Sequence, residues 1–281
     1  MKKMLIAAAL LGPILVGAAP AFAQADAPLP DPNDQSDTFT IGGGAAFIPD
    51  YEGSDDYRLI PAAAVRGRVG GIAFFSRGTY LYADFIRRGD NALEFDLGPI
   101  AGVRLNRTGK VKDDAVDALP ERDTAIEIGG FAGITYRGLT NPYDALGFHV
   151  DVTTDVGGAH GSTLITPTID FGTPLSRYTY VGLSLSGEWA GGGYADYYYS
   201  ISPSGSLASG LPVFDADGGF KHWRLSLFGN QSISGDLTHG WSIFGLGLYT
   251  HLSGDFADSP IVDERGSASQ WFGALGVAYT F

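Results

Sequence analysis

Apolar residues recur at every second position along much of this chain, a period that belongs to strands with two different faces and not to helices. At the C-terminus Trp271, Gly273, Leu275, Val277, Tyr279 and Phe281 share one face, and Phe272, Ala274, Gly276, Ala278 and Thr280 share the other. The first face is large and apolar and the second mostly small. Elsewhere the alternation carries charge. Phe95, Leu97, Ala101, Val103 and Leu105 oppose Glu94, Asp96 and Arg104; Leu146, Phe148, Val150, Val152 and Val156 oppose His149, Asp151 and Asp155; Val181, Leu183, Leu185 and Trp189 oppose Ser184, Ser186 and Glu188. A soluble sandwich would have to bury those charges, whereas a membrane barrel turns its apolar face to lipid and its polar face to an enclosed lumen.

The pattern predicts strands at 38–48, 57–66, 71–77, 79–86, 93–105, 123–137, 146–157, 162–173, 177–189, 219–232, 237–253 and 269–281. Twelve is even, so both termini fall on one side, the periplasmic one. The segment 57–86 is the least defined, and a ten-strand reading stays open there. Long connections at 49–56, 106–122, 190–218 and 254–269 then face outward, and short ones such as 174–176 and 234–236 face inward. Any free sheet edge in hydrocarbon would leave backbone groups unpaired at several kcal/mol each. The expected fold is therefore all-β, a closed antiparallel transmembrane β-barrel.

The ends divide the chain further. Met1-Lys2-Lys3, an apolar run from Leu5 to Ala19 and the triplet Ala21-Phe22-Ala23 read as a secretory signal peptide over 1–23, cut between Ala23 and Gln24. The run is too short for a spanning helix and contains Pro13. Ala, not Cys, precedes the cut, which argues against a lipid-anchored product. Residues 24–37 read as a flexible polar lead-in, and 38–281 as the barrel. Losing Lys2 and Lys3 from 18 basic residues leaves 16 against 31 acidic, a net charge of −15. That balance excludes nucleic acid as a partner. With no cysteine in an exported chain, no disulfide framework exists, and no later stretch has 18 consecutive apolar residues. Val277, Tyr279 and Phe281, spaced by two and ending in an aromatic, resemble the signal that barrel-assembly machinery recognises.

Three longer blocks carry a family resemblance. Phe47-Ile48-Pro49-Asp50-Tyr51-Glu52-Gly53-Ser54-Asp55-Asp56-Tyr57-Arg58 looks like an opening outward loop. Residues 194–203 and 208–220 look like the longest loop, and 254–262 with Arg265-Gly266-Ser267 and Gln270 look like a final hairpin. Together they resemble the MipA/OmpV family of outer-membrane proteins. One departure is Tyr199-Ser200, where Tyr-Gly is expected. The resemblance implies an outer-membrane barrel of a Gram-negative envelope, embedded in outer-membrane lipid. It also implies, as in one branch of that family, a non-enzymatic scaffold or binding role linked to peptidoglycan-remodelling enzymes, with murein hydrolase or synthase complexes as partners; other branches are tied to adhesion or stress.

Candidate chemistry is sparse. His160-Gly161-Ser162 is the nearest approach to a lipase pair, but neighbours on one turn do not supply a base that reaches the serine across strands. His149, His222, His239 and His251 lack metal-ligand spacing. Asp50, Glu52, Asp55 and Asp56 lack the order of a calcium loop and read as a solvated acidic loop. Gly42-Gly43-Gly44 and Gly191-Gly192-Gly193 lack the lysine of a phosphate loop and read as relief of crowding or turns. No cofactor, metal or catalytic residue is expected. The candidate partner or ligand loop comprises Tyr194, Asp196, Tyr197, Tyr198, Tyr199 and Asp215, with an interfacial aromatic girdle including Trp189 as the other reading. The competing function is a narrow cation-favouring pore lined by Asp96, Asp151, Asp155, Asp170 and Glu188, against which bulky Phe131 and Phe228 speak.

Overall fold

The structure, a computed structural model, describes residues 36–87, 89 and 91–281. The expected signal peptide, its cut between Ala23 and Gln24, and nearly all of the lead-in lie outside the described residues. Among those described, twelve strands run β1 (Thr38–Pro49), β2 (Tyr57–Val69), β3 (Ile72–Arg77), β4 (Tyr80–Asp84), β5 (Leu93–Arg104), β6 (Ala125–Arg137), β7 (Ala145–Asp155), β8 (Thr163–Pro174), β9 (Thr179–Ala190), β10 (Gly219–Ser232), β11 (Gly240–Leu252) and β12 (Ser269–Thr280). Each pairs antiparallel with its sequence neighbours, and β12 pairs with β1 from Thr40↔Thr280 to Phe47↔Gly273, so the sheet closes without a first or last edge.

Every predicted strand is present, which resolves 57–86 as three strands and the count as twelve. Boundaries move where turn chemistry overrides alternation. β2 runs three residues past its predicted end, until Gly70 and Gly71 take positive φ and reverse the chain. β11 starts three residues late, because Asp236 accepts from the Thr238 N–H and holds the preceding turn.

Burial is inverted relative to a soluble protein. Leu59, Phe95, Trp271 and Leu275 are more than half exposed, whereas Glu94, Glu127, His149, Asp151 and Lys221 are buried. Large apolar side chains facing outward around a closed sheet are stable only against lipid. The compact apolar core lies across the outward end, built from the long connections. There sit α1 (Asp114–Asp117), α2 (Gly192–Tyr199), α3 (Pro203–Ser209), α4 (Asp255–Asp258) and α5 (Pro260–Asp263). The caps explain two of these short helices. Asp113 accepts from the Ala115 and Val116 N–H groups at the start of α1. Ser202 and Pro203 open α3, and Gly210 at φ 77 ends it. Apolar side chains of these connections, among them Tyr51, Val116, Leu119, Tyr194, Tyr198, Tyr199, Phe256, Ile261 and Val262, merge into one buried cluster.

Candidate functional site: a closed outer mouth

A cluster of opposed charges sits directly beneath that apolar core, and its placement begins with an irregularity in β10. The register against β9 shifts between Phe220 and His222. This bulge lets Lys221 and His222, adjacent in sequence, both turn inward and be buried. Lys221 lies with its Nζ 2.9 Å from Glu52 of the first outward loop, in closer contact still with Glu188 of β9, and 3.1 Å from the Tyr194 hydroxyl of α2.

Tyr194 joins this group to a second one. Its hydroxyl donates to Glu52 Oε2 at 2.6 Å and accepts from Lys221 and from Arg104 Nη1 at 3.4 Å, filling the capacity of a phenol. Arg104 also reaches Glu127, at 2.7 Å through Nε and 3.4 Å through Nη2. Glu127, wholly buried on β6, further accepts from Tyr80 at 2.9 Å and Thr153 at 3.2 Å. His160 completes the set: its Nδ1 accepts from the Ser162 N–H, which leaves the ring proton on Nε2 facing Glu127 at 3.2 Å. Both ring nitrogens are thus engaged, and Ser162 Oγ has no imidazole base. The chain of partners runs from β10 to β5, β6 and the 156–162 loop, crossing the lumen just inside its outer end. Buried charges held this way are stable only while every partner is present.

Glu52 belongs to a loop outside the spanning strands. Burial by itself pushes its carboxyl up, but Lys221 and then Arg104 overcome that and hold it at about 2, against an ordinary 4.5. A folded-state value below the unfolded one stabilises at pH above the unfolded value and is lost as pH falls through the folded one. The outer mouth is therefore expected to loosen between pH 4.5 and about 2, forfeiting roughly 3 kcal/mol at ~1.36 kcal/mol per unit. Protease cleavage within 191–218, followed against pH, should rise across that window. In Glu52→Gln the rise should be largely absent.

Deeper in the lumen a second row crosses. Arg77 Nη1 is 2.6 Å from His149 Nε2, and His149 Nδ1 is 3.3 Å from Asp170. Tyr82 donates to Asp151 at 2.9 Å, and its ring stacks on Phe75 and tilts against Phe131. Each acid proposed to line a cation path has an internal partner: Asp96 with Thr135, Asp151 with Tyr82, Asp155 with the N–H groups of Gly157, His160 and Gly161, Asp170 with His149, and Glu188 with Lys221. Phe131 and Phe228 both belong to the inward face, Phe131 buried and Phe228 beside Tyr180.

The six residues grouped as a candidate partner loop separate into two sets. Tyr194, Tyr198 and Tyr199 face inward from α2, fully buried, and form neither an exposed platform nor a girdle. Asp196, Tyr197 and Asp215 line a surface cavity of about 430 Å³ together with Arg122, Ser202 and Phe214. In it the Arg122 guanidinium lies 4.7 Å from the Tyr197 ring, and the Tyr197 hydroxyl accepts from the Asp123 N–H. Trp189, the expected girdle residue, is exposed on the lipid side of β9.

The acidic loop is corrected in the same way. Asp50 is buried, accepting from the Lys112 N–H at 2.7 Å and facing Arg58, and Glu52 turns into the mouth, so two of its four acids are structural and not solvated. Val277 on the outer face of β12 and Phe281 just past its end are exposed, and Tyr279 between them packs on Trp241. Among the described residues no group of three His, Cys, Asp or Glu is placed to hold a metal ion. Sequence reasoning missed Lys221, Arg104, Glu127 and Glu52 as one site. A local signal existed for Lys221: the pair Lys221-His222 breaks the alternation of an otherwise regular strand.

A family model described as MltA-interacting protein MipA matches residues 41–281. The MltA-interacting protein of Escherichia coli K12 is 32% identical over 113 residues, which cover 38% of this chain and 42% of that protein. The match therefore spans well under half the length of this curated relative. Among solved structures, an outer membrane channel from Pseudomonas putida F1 aligns at TM-score 0.45 and 12% identity, over 94% of this chain and 100% of its own. The CymD monoaromatic hydrocarbon channel aligns at 0.42 and 12%, over 89% and 90%.

Proposed function

Because the chain belongs to the MltA-interacting protein MipA family, we propose that it serves the envelope as a non-conducting, non-catalytic scaffold barrel, binding peptidoglycan-remodelling enzymes at its periplasmic rim. In this reading the signal peptide over 1–23 exports it, cleavage falls between Ala23 and Gln24, and Val277, Tyr279 and Phe281 present it to the barrel-assembly machinery. It then resides in the outer membrane of a Gram-negative bacterium. The partner class follows from the relative's name, which records an interaction with MltA.

The observation that carries the reading is the closed mouth. A buried ionic cluster roofed by an apolar core obstructs the route a solute would take, and the acids of the alternative cation path are engaged with internal partners. Two measurements test this. In planar bilayers the purified barrel should give no unitary current steps in neutral buffer, and regular steps would restore the pore reading. Crosslinking in intact envelopes should capture a murein hydrolase or synthase. Recovery of the barrel without such an enzyme would remove the scaffold role.

A further inference from the structure

The barrel wall is cut down at one place. β3 and β4 have six and five residues, whereas their neighbours β2 and β5 have 13 and 12. The ladder between β2 and β3 runs only from Val69↔Ile72 to Arg66↔Phe75, although β2 continues outward to Tyr57. The hairpin tip at Gly78, with φ 58, thus forms the sill of a notch along the outer half of β2, while on its other side the hairpin follows β5 up to Gly102, two residues from that strand's outer end. Side chains close both ends of the free edge. Ser76 Oγ accepts the Val65 N–H at 3.0 Å, and Lys112 Nζ donates to the Tyr57 carbonyl at 2.5 Å. Between them lie Arg58-Leu59-Ile60, then Pro61, which has no N–H to leave unpaired, and Ala62-Ala63-Ala64, which add almost no bulk. An edge bare of partners in hydrocarbon is costly, so this one must be met by polar atoms from water, a headgroup or a ligand.

The lumen behind the notch is unlike the rest. The inward side chains of β7 to β9 are mostly polar, including His149, Asp151, Thr168 and Glu188. Those of β2, β11 and β12 include Ile60, Phe244, Leu246, Leu248 and Phe272, all only partly buried. Gly42 and Gly276 confirm where Phe244 points, since a Cβ on either would meet its ring at 3.0 or 2.4 Å. Barrel interiors are ordinarily polar, so a partly exposed apolar wall signals an apolar occupant. Basic side chains surround the opening. Arg58 lies 3.7 Å from Asp50 and is still 40% exposed, Arg66 is exposed below the sill, and exposed Lys112 is above.

We propose that the notch admits one acyl chain of an anionic membrane lipid from the surrounding bilayer, the chain lying on the apolar lumen wall and the phosphate held by the rim cations. The observations that carry this are the truncated hairpin, the apolar wall beside it and the exposed Arg58, Arg66 and Lys112 at the opening. It does not depend on the scaffold reading.

The test uses the folded full barrel in phosphatidylcholine vesicles containing phosphatidic acid with a diazirine near the end of one acyl chain. Photolysis should label Phe244, Leu246 or Phe272 in addition to lipid-facing Ile243 and Leu275. Ala62→Trp, which narrows the notch, should cut inner labelling at least fivefold and leave outer labelling unchanged. Arg66→Glu, at an exposed position that leaves the opening free, should lower it severalfold. Label confined to the outer face overturns the proposal, as does inner label unchanged in an Ala62→Trp barrel that still migrates as folded. Equal inner labelling from a diazirine phosphatidylcholine overturns the anionic preference, and displacement by free palmitate overturns the bilayer as source.

Discussion

Replacing Lys221 with Met is expected to destabilise the closed mouth by roughly 3–5 kcal/mol, because it strands Glu52 and Glu188 beneath the apolar roof with Arg104 as the remaining nearby cation. The methionine fits the space, so the loss is electrostatic and not one of packing. The β ladders are not touched, and the variant should still run as a folded barrel on unheated gels. Two readouts should move: the urea midpoint in detergent should fall, and segment 191–218 should become open to protease. Adding Glu188→Gln should recover a substantial part of the loss, since it removes one of the stranded charges. An unchanged midpoint and an intact 191–218 segment in Lys221→Met would mean that the cluster does not hold the mouth closed.

Tyr194→Ala should cost a similar amount, roughly 3–5 kcal/mol, by a different route. Its ring is fully buried, 4.8 Å from Tyr198 and 5.1 Å from His160, with Lys221 4.5 Å from its centre. Truncation opens a cavity and removes the hydroxyl that bridges Glu52, Lys221 and Arg104. Tyr194→Phe keeps the ring and forfeits only the bridge, for about 1–3 kcal/mol. The difference between the two urea midpoints therefore separates packing from hydrogen bonding at this residue. Because Tyr194 and Lys221 share partners, the double variant should lose less than the two single losses together. Additive losses would show that the two act in separate structures.

The barrel was legible because its alternation is a backbone property. In β5, β7 and β9 the apolar positions read from sequence are the ones exposed to lipid, and Glu94, His149, Asp151 and Glu188 face in. The mouth was not legible, for two physical reasons. Its partners lie far apart in sequence, Glu52 from Tyr194 by 142 positions and Arg104 from Tyr194 by 90, and no local pattern encodes such a meeting. Tyrosine also reads the same whether its ring is buried with a bonded hydroxyl or displayed on a surface. Only the helical turn of α2 separates inward Tyr194 and Tyr198 from Asp196 and Tyr197 at the cavity. The short β3 and β4 were found as strands, but their lack of height against β2 is a matter of register, which alternation alone does not fix.

The seam between the first and last strands is fastened at its outer end by residues from the opening and closing loops. Tyr51 donates to the Ile261 carbonyl, Gln270 donates to that of Ser54, and Ser54 bridges Gly266. None of these can form until the two ends of the sheet have met. The roof over the lumen is thus complete only in a barrel whose first and last strands are joined, and its resistance to protease reports a closed seam.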